Sequence, residues 1–320
     1  MEEYIINNRR KFLKNGLLGA AAITTFNSFT FLDETEMVRN SRYTKLTVLH
    51  TNDMHSHIEP FSLGAPKMAG LGGMSARAAI IKKIRKQEKN VLLLDVGDVF
   101  QGTPYFNFFN GEPELKLMSE MKYDACTLGN HDFDNGELGF LKALPHANFP
   151  FLNVNYNFSD SPILGNVEKY KIFEYENLKI GVFGLGIELQ GLVEKKNFGN
   201  IIYENPLEKA TECANLLKYK MGCDFVICLS HLGYQYSNEK ISDIILAENT
   251  SNIDLILGGH THTFLDAPVE KKNLDKKKVL INQVGWAGVK LGKIDFYFHK
   301  KNKRKEYQAS NTWIKNNDGV

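Results

Sequence analysis

No CxxC pair occurs in this chain. Its four cysteines, Cys126, Cys213, Cys223 and Cys228, lie in apolar or helical runs without metal-knuckle spacing. That argues against a disulfide framework or a cysteine-zinc knot and reads as buried free thiols. Neither sign of charge is in surplus: 39 basic and 37 acidic residues leave a formal net charge of +2. A dedicated nucleic-acid binder gathers basic residues on one face, so no nucleic-acid polymer is expected as a partner. No internal repeat and no proline-rich linker interrupt the stretch from Tyr43 to His299, which therefore reads as one domain. The hydrophobic fraction of 43% is ordinary for a globular protein.

The N-terminus differs in kind. MEEYIINNRRKFLKNG carries Arg9 and Arg10, then Lys11, Phe12, Leu13 and Lys14, ahead of the mildly apolar GLLGAAAITTF. That apolar stretch is too short to span a bilayer as a stable helix. A basic segment before a short apolar one describes an export signal, and the paired arginines resemble a twin-arginine signal. The other reading is an amphipathic first helix, but the run shows no clear polar face. Residues 1–42 are accordingly read as signal and linker, cleaved between Thr24 and Arg42 or kept as an anchor. Passage through the twin-arginine translocation machinery to the periplasm is the expectation.

Beyond the leader, short Val/Ile/Leu-rich runs alternate with helical stretches. TKLTVLHTND, NVLLLDVGD, DACTLGNHDF, CDFVICLSHLG and NIDLILGGHTHT read as strands running into loops. GGMSARAAIIKKIRKQEKN, PELKLMSEMKY and NPLEKATECANLLKYKMG read as helices, and EKYKIFEYENLKIGVFGLG as a hairpin turning at Glu176-Asn177. KKVLINQVG and KLGKIDFYFHK close the pattern as two more strands. This order predicts an α/β fold of packed sheets with helices outside. The tail from Lys300 to Val320 is basic and polar and reads as a flexible extension, with Trp313 as the one residue suited to docking.

Five strand ends share a feature. They offer Asp53 and His55; Asp98; Asn130, His131 and Asp134; His231; and His260 with His262. Each set lies past the carboxyl end of an apolar run, the edge where open α/β sheets bind ligands. His260 and His262 sit two apart, and strand alternation would aim them the same way. Carboxylate, amide and imidazole without thiolate suit first-row ions such as Mn²⁺, Fe²⁺, Co²⁺ or Zn²⁺.

Taken in order, D-x-H, G-D, G-N-H-[DE], a lone His after a strand and G-H-x-H resemble the calcineurin-like metallophosphoesterases. LHTNDMHSH, LLLDVGDVFQGTP, YDACTLGNHDFDNGE and GGHTHT are similar to the 5′-nucleotidase branch, over about Lys45 to Tyr297. The resemblance implies a four-layer α/β/β/α sandwich forming a single catalytic domain over residues 43–299. It implies two divalent metal ions, one on Asp53, His55 and His262, the other on Asn130, His231 and His260, with Asp98 bridging. It implies His131 and Asp134 as the catalytic pair. Two ions bring about +4 and Asp53 and Asp98 remove about 2, so the site stays positive for an anionic phosphate. Ion-acidified water supplies the nucleophile, without a Ser or Cys.

Each implied role has a plainer rival. His131 could be only a hydrogen-bond donor behind the ions, Asp134 a cap on the next turn, and His231 a satisfied core imidazole. His50 and His57 read as structural or as supports behind the ligands, Asp95 as structural, and Lys82 to Lys86 as a solvated helix face. Members of this branch carry a C-terminal domain that grips base and phosphate, and the chain stops soon after KLGKIDFYFHK. The expected substrate is a small phosphate ester, foremost a nucleoside 5′-monophosphate. The expected base-binding domain is either separately encoded or dispensed with by a broad phosphoesterase. The alternatives are a 2′,3′-cyclic nucleotide phosphodiesterase, a sulfur-ester hydrolase on the same fold and a noncatalytic metal-loaded subunit.

Overall fold

The computed structural model describes residues 42–303 and 305–315. The leader with Arg9 and Arg10, and residues 316–320, lie outside the described residues. In chain order come β1 (Tyr43–Thr51), α1 (Met74–Gln87), β2 (Val91–Asp95), α2 (Pro104–Phe109), α3 (Glu112–Glu120) and β3 (Ala125–Thr127). Next are α4 (Gly136–Ala143), β4 (Phe151–Leu152), β5 (Tyr156–Asn157), β6 (Tyr170–Tyr175) and β7 (Leu178–Leu185). Then follow α5 (Lys195–Phe198), β8 (Ile202–Tyr203), α6 (Pro206–Asn215), β9 (Phe225–Ser230), α7 (Asp243–Asn249) and β10 (Leu255–Gly258). The last four are β11 (Val269–Lys272), β12 (Lys278–Asn282), β13 (Lys290–His299) and β14 (Lys305–Trp313).

Two six-stranded sheets result, ordered β14-β13-β1-β2-β3-β4 and β11-β12-β10-β9-β7-β6. The pleat explains how they stack. In β2, Leu92 and Leu94 join the core shared with Ile227, Leu229, Leu255 and Leu257 of the second sheet. Val91 and Leu93 turn the other way and pack with Ile81 of α1 and Leu115 and Met118 of α3. Val226 and Cys228 of β9 likewise turn outward, onto Ala210 and Ala214 of α6 and Leu246 of α7. Strands covered on both faces must be apolar at every position, which is why VLLLD and FVICLS are continuous runs. The layers are helix, sheet, sheet, helix, as expected.

Local signals hold at the element ends. Asn205 caps α6 by accepting from the Leu207 N–H at 2.9 Å, with Pro206 at the first helical position. The hairpin β6–β7 turns at Glu176-Asn177, with Tyr175 opposite Leu178. All four cysteines are buried and free. Among the described residues, no helix is long and apolar enough to cross a membrane.

The tail corrects the expectation. Lys305 to Trp313, read as flexible, pair antiparallel with Lys290 to Phe298 as the edge strand β14. Tyr307 and Ala309 turn inward against the inter-sheet core. An edge strand keeps one face and one rim in water, so its composition is polar although it pairs with β13 along its whole length. Trp313 does dock: its ring stacks on Phe264 at 5.5 Å, and the Lys290 ammonium lies 4.5 Å from its centroid.

Candidate metal centre

β1, β2 and β3 run parallel as neighbours in one sheet, and β9 and β10 in the other. Their carboxyl ends therefore open onto one rim, and the five loops that follow carry the seven proposed ligands together with His131 and Asp134. One correction concerns aim. β10 ends at Gly258, so His260 and His262 lie on the loop beyond it and strand alternation does not orient them. Left-handed backbone does, with φ of 69° at His260 and 52° at His262. Asp53, His55 and Asp98 adopt the same region, at 50°, 47° and 52°. Non-glycine residues rarely sit there, and such strain collects where side chains must be aimed.

Two groups form. Asp53, His55 and His262 each offer a ligand atom within 4.8 Å of the others, and so do Asp98, His231 and His260. Asn130 joins the second group, its Oδ1 2.9 Å from His260 Nδ1. Asp98 lies between the groups, with Oδ2 3.1 Å from His231 Nε2 and 3.8 Å from His55 Nε2. His131 and Asp134 stand beside them, Nδ1 to Oδ2 at 2.7 Å.

The donors fit divalent cations. A carbonyl only accepts, so His231 must donate Nδ1–H to Val96 O at 2.6 Å. That leaves Nε2 for the site, where it faces Asp98 Oδ2 at 3.1 Å. His55 repeats the arrangement, with Nδ1 on the Gln101 carbonyl at 3.1 Å and Nε2 facing His262 Nε2 at 2.9 Å. Imidazole nitrogens and carboxylates brought this close together must share positive charge, either as protons or as a metal cation. A backbone carbonyl behind an imidazole is also the usual way such a ligand is fixed.

Charge tells the same story. Burial disfavours a charged His231, yet the Asp98 and Asp53 carboxylates hold it well above the ordinary imidazole range. Burial would raise Asp98, yet His231 and His55 hold it below the carboxylate range. This pair grips positive charge. Burial keeps His55 and His260 toward the neutral form that ligates metals, His260 falling to about 4. His131 goes the other way, raised by its hydrogen bond to Asp134.

Two glycines let the loops meet. A Cβ on Gly97 would stand 2.4 Å from Gly129 N, and one on Gly129 would stand 2.1 Å from Asp98 Oδ1. Asp95 accepts from the Thr51 hydroxyl and the Gly97 N–H, and His50 meets Asn282 in the interior. Both fit their structural reading.

Three supporting residues had no role assigned from the sequence. Asp132, buried, accepts backbone N–H bonds from Gly129 (2.8 Å), Asp98 (3.1 Å), Val99 (3.0 Å) and Phe100 (3.4 Å). Its carboxylate thereby staples two site loops together. Gln283 accepts from Thr263 N and the Thr261 hydroxyl, holding the His260–His262 loop. Asn52 ties Asp53 to the loop at Val284 and Gly285. Asp132→Asn should turn an NH₂ group onto two of those donors, costing about 1–3 kcal/mol for each N–H left without an acceptor. Thermal melting should show the loss as several degrees in Tm; an unchanged melt would mean that the loops do not depend on this staple.

The calcineurin-like phosphoesterase family model matches residues 46–264. A snake venom 5′-nucleotidase of Crotalus adamanteus is 38% identical over 229 residues, covering 69% of this chain and 37% of that protein. An NAD 5′-nucleotidase of Haemophilus influenzae is 32% identical, covering 76% of this chain and 42% of its own length. The crystal structure of a 5′-nucleotidase precursor from Thermus thermophilus superposes with a TM-score of 0.77 at 30% identity, over 86% of this chain and 55% of that one. The chain thus spans about half the length, or less, of these relatives. Both the match and the rim geometry lead to one assignment: the chain belongs to the calcineurin-like phosphoesterase family.

Proposed function

We propose that the protein hydrolyses phosphomonoesters at a two-ion centre, with nucleoside 5′-monophosphates as the preferred class. The observation that carries this is the pair of ligand groups on one rim, with Asp98 between them and the His131–Asp134 pair alongside. That relatives are named 5′-nucleotidases supports the nucleotide preference. In this reading Asp53, His55 and His262 hold one ion, Asn130, His231 and His260 the other, and Asp98 both. Ions of the Mn²⁺, Zn²⁺, Co²⁺ or Fe²⁺ type held there would supply an acidified water as nucleophile and offset the negative charge of the phosphoryl oxygens. The chain's own residues do the rest. Neutral imidazole and amide ligands leave the site positive toward an anion. His131, held toward its charged form by Asp134, donates a hydrogen bond or proton to the phosphoryl or leaving oxygen.

The test is phosphate release by the full-length protein from AMP, a 2′,3′-cyclic nucleotide and an aryl phosphate. Chelator treatment is expected to abolish turnover, and Mn²⁺, Co²⁺ or Zn²⁺ to restore it, with AMP ahead of the others. Release that survives complete metal removal would overturn the proposal. AMP hydrolysis that appears only with a second, base-binding polypeptide would assign the nucleotide preference to a partner.

A further inference from the structure

His262 differs from its neighbours in how it is held. His55 and His231 are locked by Nδ1–H bonds to loop carbonyls, and His260 meets Asn130. The His262 ring instead meets His55 Nε2 at 2.9 Å and Asp53 Oδ1 at 3.4 Å, both on the side of the proposed ion. Its side chain is 38% exposed, so packing from all sides does not hold it either. One ring lies flat against it. Trp286 stacks on His262 with centroids 5.5 Å apart and planes 8° from parallel.

Trp286 is itself well anchored. It meets His57 edge-on at 5.3 Å and Phe61 at 5.9 Å, and those two stack on each other at 4.8 Å. Backbone on either side is tied to the first site loop: Val284 N–H donates to Asn52 Oδ1 at 3.0 Å, and Ala287 N–H to the Asp53 carbonyl at 2.7 Å. Any movement of this loop would therefore move with Asp53.

We propose that Trp286 is a positioning residue for His262, a plate that fixes the imidazole plane and so the direction of its Nε2 lone pair. The lone pair lies in the ring plane, so a flat partner sets its direction where a merely apolar one would not. The proposal rests on the two-ion reading above. It gives His262 through stacking what His55 and His231 obtain through hydrogen bonds.

Trp286 and Trp313 are the only tryptophans, so Trp313→Phe leaves Trp286 as the sole indole reporter. Zn²⁺ titration of the metal-stripped full-length protein should change its emission in step with one of two binding events. Zinc per chain, measured against a competing chelator, should be two in the native protein. Trp286→Ala and Trp286→Leu should weaken one of the two sites by about 10–100-fold and leave the other unchanged. Trp286→Phe, which restores a flat ring, should recover most of that loss. Native-like binding of both ions by Trp286→Leu, or emission indifferent to Zn²⁺ while two ions bind, would overturn the positioning role alone. A native protein that takes up no zinc would bring down the two-ion reading and this proposal with it.

Discussion

An Asp98→Asn variant is expected to release phosphate at least about a thousandfold more slowly than the native protein, roughly 4 kcal/mol on the barrier. The substitution hardly changes shape, so the loss isolates charge. Asp98 reaches both ligand groups, 3.1 Å from His231 Nε2 and 3.8 Å from His55 Nε2, and comes closer to His231 than Asp53 does at 3.9 Å. The amide would leave Asp53 as the sole anion among the seven proposed ligands, against about +4 from two ions. Asparagine can still accept the His131 N–H that Asp98 Oδ1 takes at 2.7 Å, so the Gly129–His131 loop keeps that tether. Asp98 is buried, so solvent cannot replace the missing charge. Metal content should fall with activity, measured as ions per chain after dialysis. Turnover at the native rate would remove Asp98 from the bridging role and, with it, the electrostatic case for a shared pair.

The fold and the seven proposed ligands were legible because buried parallel strands must be apolar throughout. A polar residue that ends such a run stands out, as Asp53, Asp98 and His231 do. Their convergence follows from topology, since three neighbouring strands of one sheet and two of the other end on one rim. Residues that work through backbone groups were not legible. Asp132 sits beside His131 in the sequence, but its partners are four N–H groups of a kind every loop possesses. Gln283 and Trp286 come from the loop after β12, which only the sheet order brings to the site. The aim of His260 and His262 was misjudged for a related reason: alternation is a property of paired backbone, and pairing stops at Gly258. Likewise, the polar exposed face of β14 dilutes the alternation that Tyr307 and Ala309 would otherwise show.

His131→Ala is expected to slow AMP hydrolysis by about 10²–10⁴-fold, the range that general acid–base groups supply. Its ring is 34% exposed beside the ligand groups, and its Nδ1 is committed to Asp134 at 2.7 Å. Nε2 is then the nitrogen that can meet a substrate. If it protonates the leaving oxygen, the loss must depend on how much help that oxygen needs. A ribose alkoxide is a poor leaving group and should suffer the full effect. The leaving group of an aryl phosphate departs as a stable phenolate, so its hydrolysis should fall about tenfold or less. Equal losses on both substrates would instead place His131 on the nonbridging phosphoryl oxygen. Asp134→Asn tests the other half of the pair. Asp134 raises the His131 pKa and turns its ring, so this variant alone should lose less than His131→Ala and add little on top of it. Such non-additivity is what two residues acting as one unit produce. Independent, multiplying losses would mean that the Asp134 carboxylate works through something other than His131.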